Sequence, residues 1–323
     1  MKKILAFTLL LLFLSTTGAC SQTATYVPDH SDTPFVITMK NDTLKILQLT
    51  DLHLTYGIDA FDRKTLSGIK TLVKSDDFDL VVITGDMMMS ISAPALFAKL
   101  VRFMDGLGTP WTFVFGNHEA DYDSYSRLLD KIRDTDNLYF KEGPLFPDSE
   151  ALGVENHGNF MIEFTKEGIP FYKIYLMDSH AERAADTPGE GDYDYVRTDQ
   201  VGWYAEHANE DTVASVMFMH IPLVQFSDPV TYEGIFDEDM VYAQGLDTGL
   251  FAAIVAAGRT KGVFVGHDHL NNFSLVLDGV LLAYGEVTGY NAYGDLSRGG
   301  RVIEVSPEGE ITSYILLEAK VTP

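Results

Sequence analysis

Five short apolar runs in this chain each end in residues that can hold a metal ion. Leu47-Gln48-Leu49-Thr50 runs into Asp51-Leu52-His53, Val81-Val82-Ile83-Thr84 into Gly85-Asp86, and Phe113-Val114-Phe115 into Gly116-Asn117-His118-Glu119. Later, Met217-Phe218-Met219 leads to His220-Ile221-Pro222, and Val263-Phe264-Val265 to Gly266-His267-Asp268-His269. Asp-x-His and His-x-His share a spacing of two, and in extended backbone such residues point the same way, so both can meet one ion. Taken singly, Asp51 and Asp86 read as turn or cap acids, His220 as a hydrogen-bonded loop histidine and Asn117 as a turn residue. Five exits carrying suitable types together read instead as a two-metal site. Two ions about 3.5–4 Å apart lower the pKa of a bridging water and clamp the attacking and leaving oxygens of an in-line displacement. Glycine before Asp86, Asn117 and His267 is expected to let backbone approach the ions closely.

The elements that must position these residues follow from the same runs. Runs of four to six β-branched and aromatic residues without alternation suit strands buried on both faces. They are Leu80 to Ile83, Trp111 to Phe115, Tyr172 to Leu176, Ser215 to Met219 and Gly262 to Val265, with Phe35 to Thr38 and Leu44 to Leu49 predicted to pair as a hairpin across Lys40-Asn41-Asp42. Helical segments are predicted over Arg63–Val73, Pro94–Met104, Tyr122–Ile132, Asp199–Ala208 and Asp247–Ala257. The last sixty residues are strand-rich. Alternation of this kind predicts a layered α/β domain, in which the crevice beyond the carboxyl ends of the strands is the place for a ligand.

Asp51-x-His53, Gly85-Asp86, Gly116-Asn117-His118-Glu119, His220 and Gly266-His267-x-His269, in that order, resemble the signature of the calcineurin-like metallophosphoesterases. Leu176-Met177-Asp178-Ser179, Asp192-Tyr193-Asp194-Tyr195 with Asp199-Gln200-x-x-Trp203, and Gly289-Tyr290-x-x-Tyr293-Gly294 resemble its single-domain branch similar to purple acid phosphatases. The resemblance implies an α/β fold of two mixed β-sheets packed face to face and flanked by helices. It implies that Asp51, His53 and His269 hold a first metal, that Asn117, His220 and His267 hold a second, and that Asp86 bridges both. The ions would be divalent or trivalent, iron, zinc or manganese, since imidazole and hard oxygen suit these and no thiolate is offered. A metal-bridging hydroxide would attack a small phosphate ester while His118, which is not a ligand, acts as acid, work usually worth about 10²–10⁴-fold. The same site would serve a phosphodiesterase or nucleotidase, or, with catalysis lost, a metal-binding scaffold. Substrate preference is expected to reside in loops 141–160, 181–198 and 226–245. Met89 stands where the purple enzymes have a tyrosinate ligand, and a soft, uncharged thioether cannot replace it on ferric iron. Met87 and Met88 read as packing, Tyr290 and Tyr293 as possible walls, and Glu119 as support for its loop. His157 and His180 lie on loops within reach of a pocket, whereas His207 sits late in a predicted helix.

Composition narrows the partners. With 23 Lys and Arg against 47 Asp and Glu, a net charge of −24 and no basic cluster, the chain offers no sequence-independent grip on nucleic acid. Its only cysteine, Cys20, excludes a disulfide framework. Met1-Lys2-Lys3, an apolar stretch from Ile4 to Leu14 and a small-residue exit describe a secretory signal, too short to span a membrane. Cys20 directly after Gly18-Ala19 resembles a bacterial lipoprotein box. The expected organisation is a lipoprotein-type signal peptide over 1–20, a tether over 21–34 and a catalytic domain over 35–320. The domain would be exported to the periplasm or cell surface and would touch membrane only through a lipid on Cys20. Mass spectrometry of the mature amino terminus is expected to find diacylglycerol on Cys20; an unmodified terminus at another residue would contradict the anchor.

Overall fold

The computed structural model describes residues 26–321 apart from 134, 152, 154, 155 and 228. The predicted signal segment and Cys20 lie outside the described residues. Among the described residues, twelve strands form two mixed sheets. The five-stranded sheet has the order β12 (Ile311–Leu317), β11 (Gly299–Val305), β2 (Leu44–Leu49), β3 (Leu80–Thr84), β4 (Trp111–Val114). The seven-stranded sheet has the order β1 (Phe35–Thr38), β5 (Phe160–Lys166), β6 (Ile169–Leu176), β7 (Ala214–Phe218), β8 (Thr260–Val265), β10 (Val280–Tyr284), β9 (Ser274–Leu277). Strands β2, β3 and β4 run parallel to one another, as do β6, β7 and β8, so their carboxyl ends emerge together.

Burial explains why these strands lack polar alternation. In β7, Val216 and Phe218 face a core shared with the five-stranded sheet, while Met217 faces a second cluster under helices α5 (Thr198–Glu210) and α6 (Leu250–Ala257). In β8, Phe264 belongs to the first cluster and Val263 and Val265 to the second. Both faces of these strands are therefore apolar. The helices close on local signals. Asp59 caps α1 (Ala60–Val73) by accepting from the backbone N–H groups of Phe61 and Asp62. Buried Leu96, Phe97, Leu100, Val101 and Met104 give α2 (Ala93–Asp105) its inward stripe. Gly258 ends α6 in the left-handed region, φ 66°.

The amino-terminal strands depart from the expected hairpin. β1 pairs in parallel with β5 at the edge of the seven-stranded sheet, and β2 lies inside the other sheet between β11 and β3. The Lys40-Asn41-Asp42 turn thus joins two sheets instead of two neighbours. The predicted helix over Tyr122–Ile132 is reduced to α3 (Tyr125–Leu129), capped at Asp130; a short α4 (Pro147–Ala151) follows. Residues 26–34, expected as a tether, lie against the domain. Trp203 Nε1 and His207 Nε2 bond the two oxygens of Asp32 at 2.6 and 2.7 Å, Lys141 Nζ donates to Ser31 Oγ at 2.9 Å, and His30 Nδ1 meets the Gly143 carbonyl at 3.0 Å.

Phe218 is fully buried between the sheets, its ring 5.4 Å from that of Phe264. Phe218→Ala is expected to destabilise the fold by about 3–5 kcal/mol. Denaturant unfolding should show the loss as a lower midpoint with little change in slope.

Candidate metal centre

The five exits converge where the two sheets meet. β2, β3 and β4 deliver Asp51, His53, Asp86 and Asn117 from one sheet, and β7 and β8 deliver His220, His267 and His269 from the other. The loops hold one another: His53 N–H donates to the Asp86 carbonyl at 2.9 Å and Gly266 N–H to the His220 carbonyl at 3.1 Å. Among the described residues, seven non-glycine residues have positive φ, and four of them are Asp51 (55°), His53 (43°), Asp86 (49°) and His267 (82°). Asp and His visit this region more readily than most types, yet each such residue still costs on the order of 1–3 kcal/mol. The backbone is bent out of strand geometry where side chains must turn toward one point.

Each carboxylate is divided between support and centre. Asp51 Oδ2 accepts from Thr50 Oγ1 at 2.7 Å and from His267 N–H at 3.1 Å. Its Oδ1 is buried, lacks a hydrogen-bond partner, and lies 3.2 Å from His269 Nε2. Asp86 Oδ1 accepts from His118 N–H at 3.0 Å, while Oδ2 lies 3.5 Å from His53 Nε2 and 3.4 Å from His220 Nε2. His220 Nδ1 donates to the Thr84 carbonyl at 2.7 Å, which leaves Nε2 facing inward, 3.1 Å from Asn117 Oδ1. Two pairs of imidazole nitrogens face each other directly, His53 with His269 at 3.0 Å and His220 with His267 at 3.3 Å.

These spacings fit metal ions. The edge of a tetrahedron with metal–nitrogen bonds of about 2.0–2.1 Å is about 3.3 Å, so imidazole nitrogens 3.0–3.3 Å apart are spaced as two ligands of one cation would be. Ligand atoms within 4.8 Å of one another form two buried sets, Asp51, His53, Asp86 and His269, and Asp86, His220 and His267. Asp86 is common to both. The electrostatics agree. Burial would raise the Asp86 carboxyl, but His220, His53 and His118 hold it well below the usual range. Burial would lower His220, yet Asp86 and Asp51 push it up to about 10, while burial and neighbouring imidazoles bring His53 down to about 4 and His267 to about 3. The pocket thus holds His53 and His267 neutral, as ligands must be, while the two carboxylates favour a positive charge beside His220, a place that a bound cation would take from the proton.

His118 stands at the mouth. Its side chain is 29% exposed, Nδ1 bonds Asp121 Oδ2 at 2.8 Å, and Nε2 lies 4.0 Å from Asp86 Oδ2. Burial opposes its protonated form, but Asp86 and Asp121 prevail and raise its pKa. Glu119 is fully buried and accepts from the backbone N–H groups of Gly116, Asp86, Met87 and Met88, tying the β3 exit to the β4 exit. Burial and the Asp86 charge push it up to about 7. The glycines at these exits make room for neighbouring groups of the site. A Cβ on Gly116 would fall on Asp86 Oδ1 and one on Gly266 on Thr50 Oγ1.

A cavity of about 590 Å³ opens over this cluster. Its walls include Met89, Tyr193, Glu238, Tyr242, Asp268 and Tyr293. Tyr293 is thus a wall, as was possible from sequence, whereas Tyr290 bonds Glu318 at 2.7 Å outside it. His157 and His180 do not line the cavity; they bond Glu142 at 3.2 Å and Gln200 at 3.0 Å. Loop 181–198 contributes Tyr193 and loop 226–245 contributes Glu238 and Tyr242, but loop 141–160 contributes no lining residue. Tyr193 lay inside a recognised sequence match without an assigned role. Asp268, also given no role there, lies between two candidate ligands, a position in sequence that could have flagged it.

Comparison with known proteins agrees with this geometry. The family model described as "Calcineurin-like phosphoesterase" matches residues 44–271. The chain is 28% identical to the Arabidopsis thaliana protein named "Probable inactive purple acid phosphatase 14", over 84% of this chain and 76% of that one. It is 26% identical to "Probable inactive purple acid phosphatase 28" of the same plant, over 81% and 75%. A dimetal phosphatase from Danio rerio superposes with a TM-score of 0.59 at 11% identity, covering 85% of this chain and 96% of the other. A purple acid phosphatase from yellow lupin gives 0.52 at 11%, covering 88% and 53%. At such identity the structural likeness speaks for the fold alone.

Because Asp86 belongs to both ligand sets, Asp86→Ala is expected to remove metal from at least one of them. Metal content of the purified variant checks this; stoichiometric retention of two ions would contradict the shared role.

Proposed function

This chain belongs to the calcineurin-like phosphoesterases, and we propose that it is a dinuclear-metal hydrolase of small phosphate esters. The observation that carries the reading is the pair of buried ligand sets joined by Asp86, with His118 standing free of both at the cavity mouth. Asp51, His53 and His269 would hold one ion, and Asn117, His220 and His267 the other, with Asp86 between them. When bound, the ions would supply Lewis acidity for the phosphoryl oxygens and an activated water. The protein's own residues do the rest. Thr50 and the His267 N–H orient Asp51, the Thr84 carbonyl orients His220, and Glu119 fixes the loops that carry Asp86 and Asn117. His118, held by Asp121 and biased toward its protonated form, would give a proton from Nε2 to the departing alkoxide.

Iron, zinc and manganese suit this donor set. Met89 is 41% exposed and lines the cavity, so its position supplies no phenolate, and the proposed centre is colourless. Monoesters and diesters would use the same ligands, so a phosphodiesterase or nucleotidase activity belongs to the same proposal. The charge of −24 favours small substrates over nucleic acid, because two ions can reverse the field only locally. The names of the Arabidopsis relatives include "inactive", which favours a second reading, a metal-binding scaffold without turnover. Measuring metal content alongside hydrolysis of a panel of monoesters and diesters separates the two: two bound ions with no turnover of any ester would establish the scaffold.

His118→Ala is expected to retain both ions while slowing turnover about 10²–10⁴-fold, most for esters with poor leaving groups. Rates unchanged on alkyl esters would remove His118 from the mechanism.

A further inference from the structure

The walls of the cavity differ in character from its floor. Tyr293 stacks on His269, with centroids 4.1 Å apart and planes at 29°, and Tyr193 stands edge-on to His267 at 4.2 Å, so each ligand set carries one tyrosine above it. Tyr242 continues the aromatic wall, its ring 6.4 Å from Tyr193. Glu238 closes the arc: its Oε1 accepts from the Tyr293 hydroxyl at 2.6 Å and from Leu270 N–H at 3.2 Å, which fixes the carboxylate beside the ring. Asp268, 3% exposed, accepts from Tyr284 Oη and Tyr242 N–H through Oδ2, while Oδ1 is buried without a hydrogen-bond partner. Among the described residues, no Lys or Arg lines the cavity. Tyr193 and Tyr242 also line a neighbouring cavity of about 550 Å³, which carries Glu190, Asp192 and Asp247 and again no Lys or Arg.

Tyrosine faces and carboxylates attract cations and repel anions. The metals and His118 would answer the charge of the phosphoryl group, but beyond them the arc of Tyr193, Tyr242, Glu238 and Tyr293 carries no Lys or Arg to answer a second phosphate or a carboxylate on the alcohol. Resting on the phosphoesterase reading, we propose that this arc is a leaving-group subsite selecting phosphate esters whose alcohol carries an ammonium group. Water cleaves the P–O bond, the phosphoryl group leaves as phosphate, and the ammonium alcohol is released past Glu238 and the tyrosines. Glu238 is the specificity-determining residue, and the second cavity gives room for a longer alcohol.

The test compares choline phosphate with 3,3-dimethylbutyl phosphate, in which carbon replaces the quaternary nitrogen at nearly constant shape, using the metal-loaded full chain. Choline phosphate should have a kcat/KM at least tenfold higher, and Glu238→Gln should bring the ratio to within about threefold, with Glu238→Asp restoring part of it. Calorimetry supplies a readout free of turnover: choline should bind the same protein at least tenfold more tightly than 3,3-dimethylbutanol, and Glu238→Gln should abolish the difference. Equal or inverted ratios, or a preference that survives Glu238→Gln, overturn the subsite while leaving the hydrolase reading intact. Glu238-dependent choline binding with no turnover of either ester upholds the subsite and counts against the hydrolase.

Discussion

The rest of the structure answers to one costly arrangement: Asp51, Asp86 and four imidazoles packed out of water with their donor atoms turned toward each other. Desolvating each charged group costs several kcal/mol, and the facing nitrogens of His53 and His269 add repulsion unless a cation or proton lies between them. Bonds from Thr50, His118 N–H, His267 N–H and the Thr84 carbonyl occupy the outward atoms and leave the inward ones for an ion. The left-handed backbone at four of these residues adds conformational strain to the electrostatic cost. Such a site is tolerable because it sits on the ends of parallel strands whose own burial is complete on both faces, a rigid support for an unfavourable cluster.

Much of this was readable in the chain because buried parallel strands and metal ligands leave strong local marks. Leu80 to Ile83 or Gly262 to Val265 can hardly be anything but interior strands, and Asp, Asn and His immediately after such runs are unusual company for them. The ordered set then carried both the family and the two-sheet fold. What escaped was set by distant contacts. β1 looks like the first arm of a hairpin because Asn41-Asp42 is a good turn, yet its partner is β5, more than a hundred residues away. β5 itself, Phe160–Lys166, carried no mark of its own. His157 and His180 have the right chemistry, but Glu142 and Gln200 claim them. Glu238 and Tyr242 sit in an irregular loop where nothing periodic marks their role; only the fold brings them over the centre.

The two sides of the cavity divide the labour of recognition. The floor is built from strand ends and supports the ligand atoms through backbone hydrogen bonds, so its geometry is as stiff as the sheets. The walls come from loops 181–198 and 226–245 and from the segment around Tyr293, which lie outside the strands and are held by side-chain bonds such as Tyr293 to Glu238 and by loop backbone bonds such as Gly245 N–H to the Tyr193 carbonyl and Asp237 N–H to the Leu270 carbonyl. Changes in those loops can alter which ester fits without disturbing the centre, the usual arrangement when function is carried on loops over a rigid scaffold.

The docking of residues 26–34 bears on where such a domain can stand. Tyr26 packs against the core and Asp32 is clasped by Trp203 and His207, so any leash begins only before Tyr26. Between Cys20 and Tyr26 a fully extended chain reaches at most about 20 Å. If the chain is held at Cys20, the domain stands within roughly its own radius of the bilayer. The strongly negative net charge would then press it away from an anionic lipid surface while the short leash pulls it back. That balance would set a standing height and orientation for the mouth of the cavity, and would ration which substrates, free in solution or still embedded in the membrane, come within its reach.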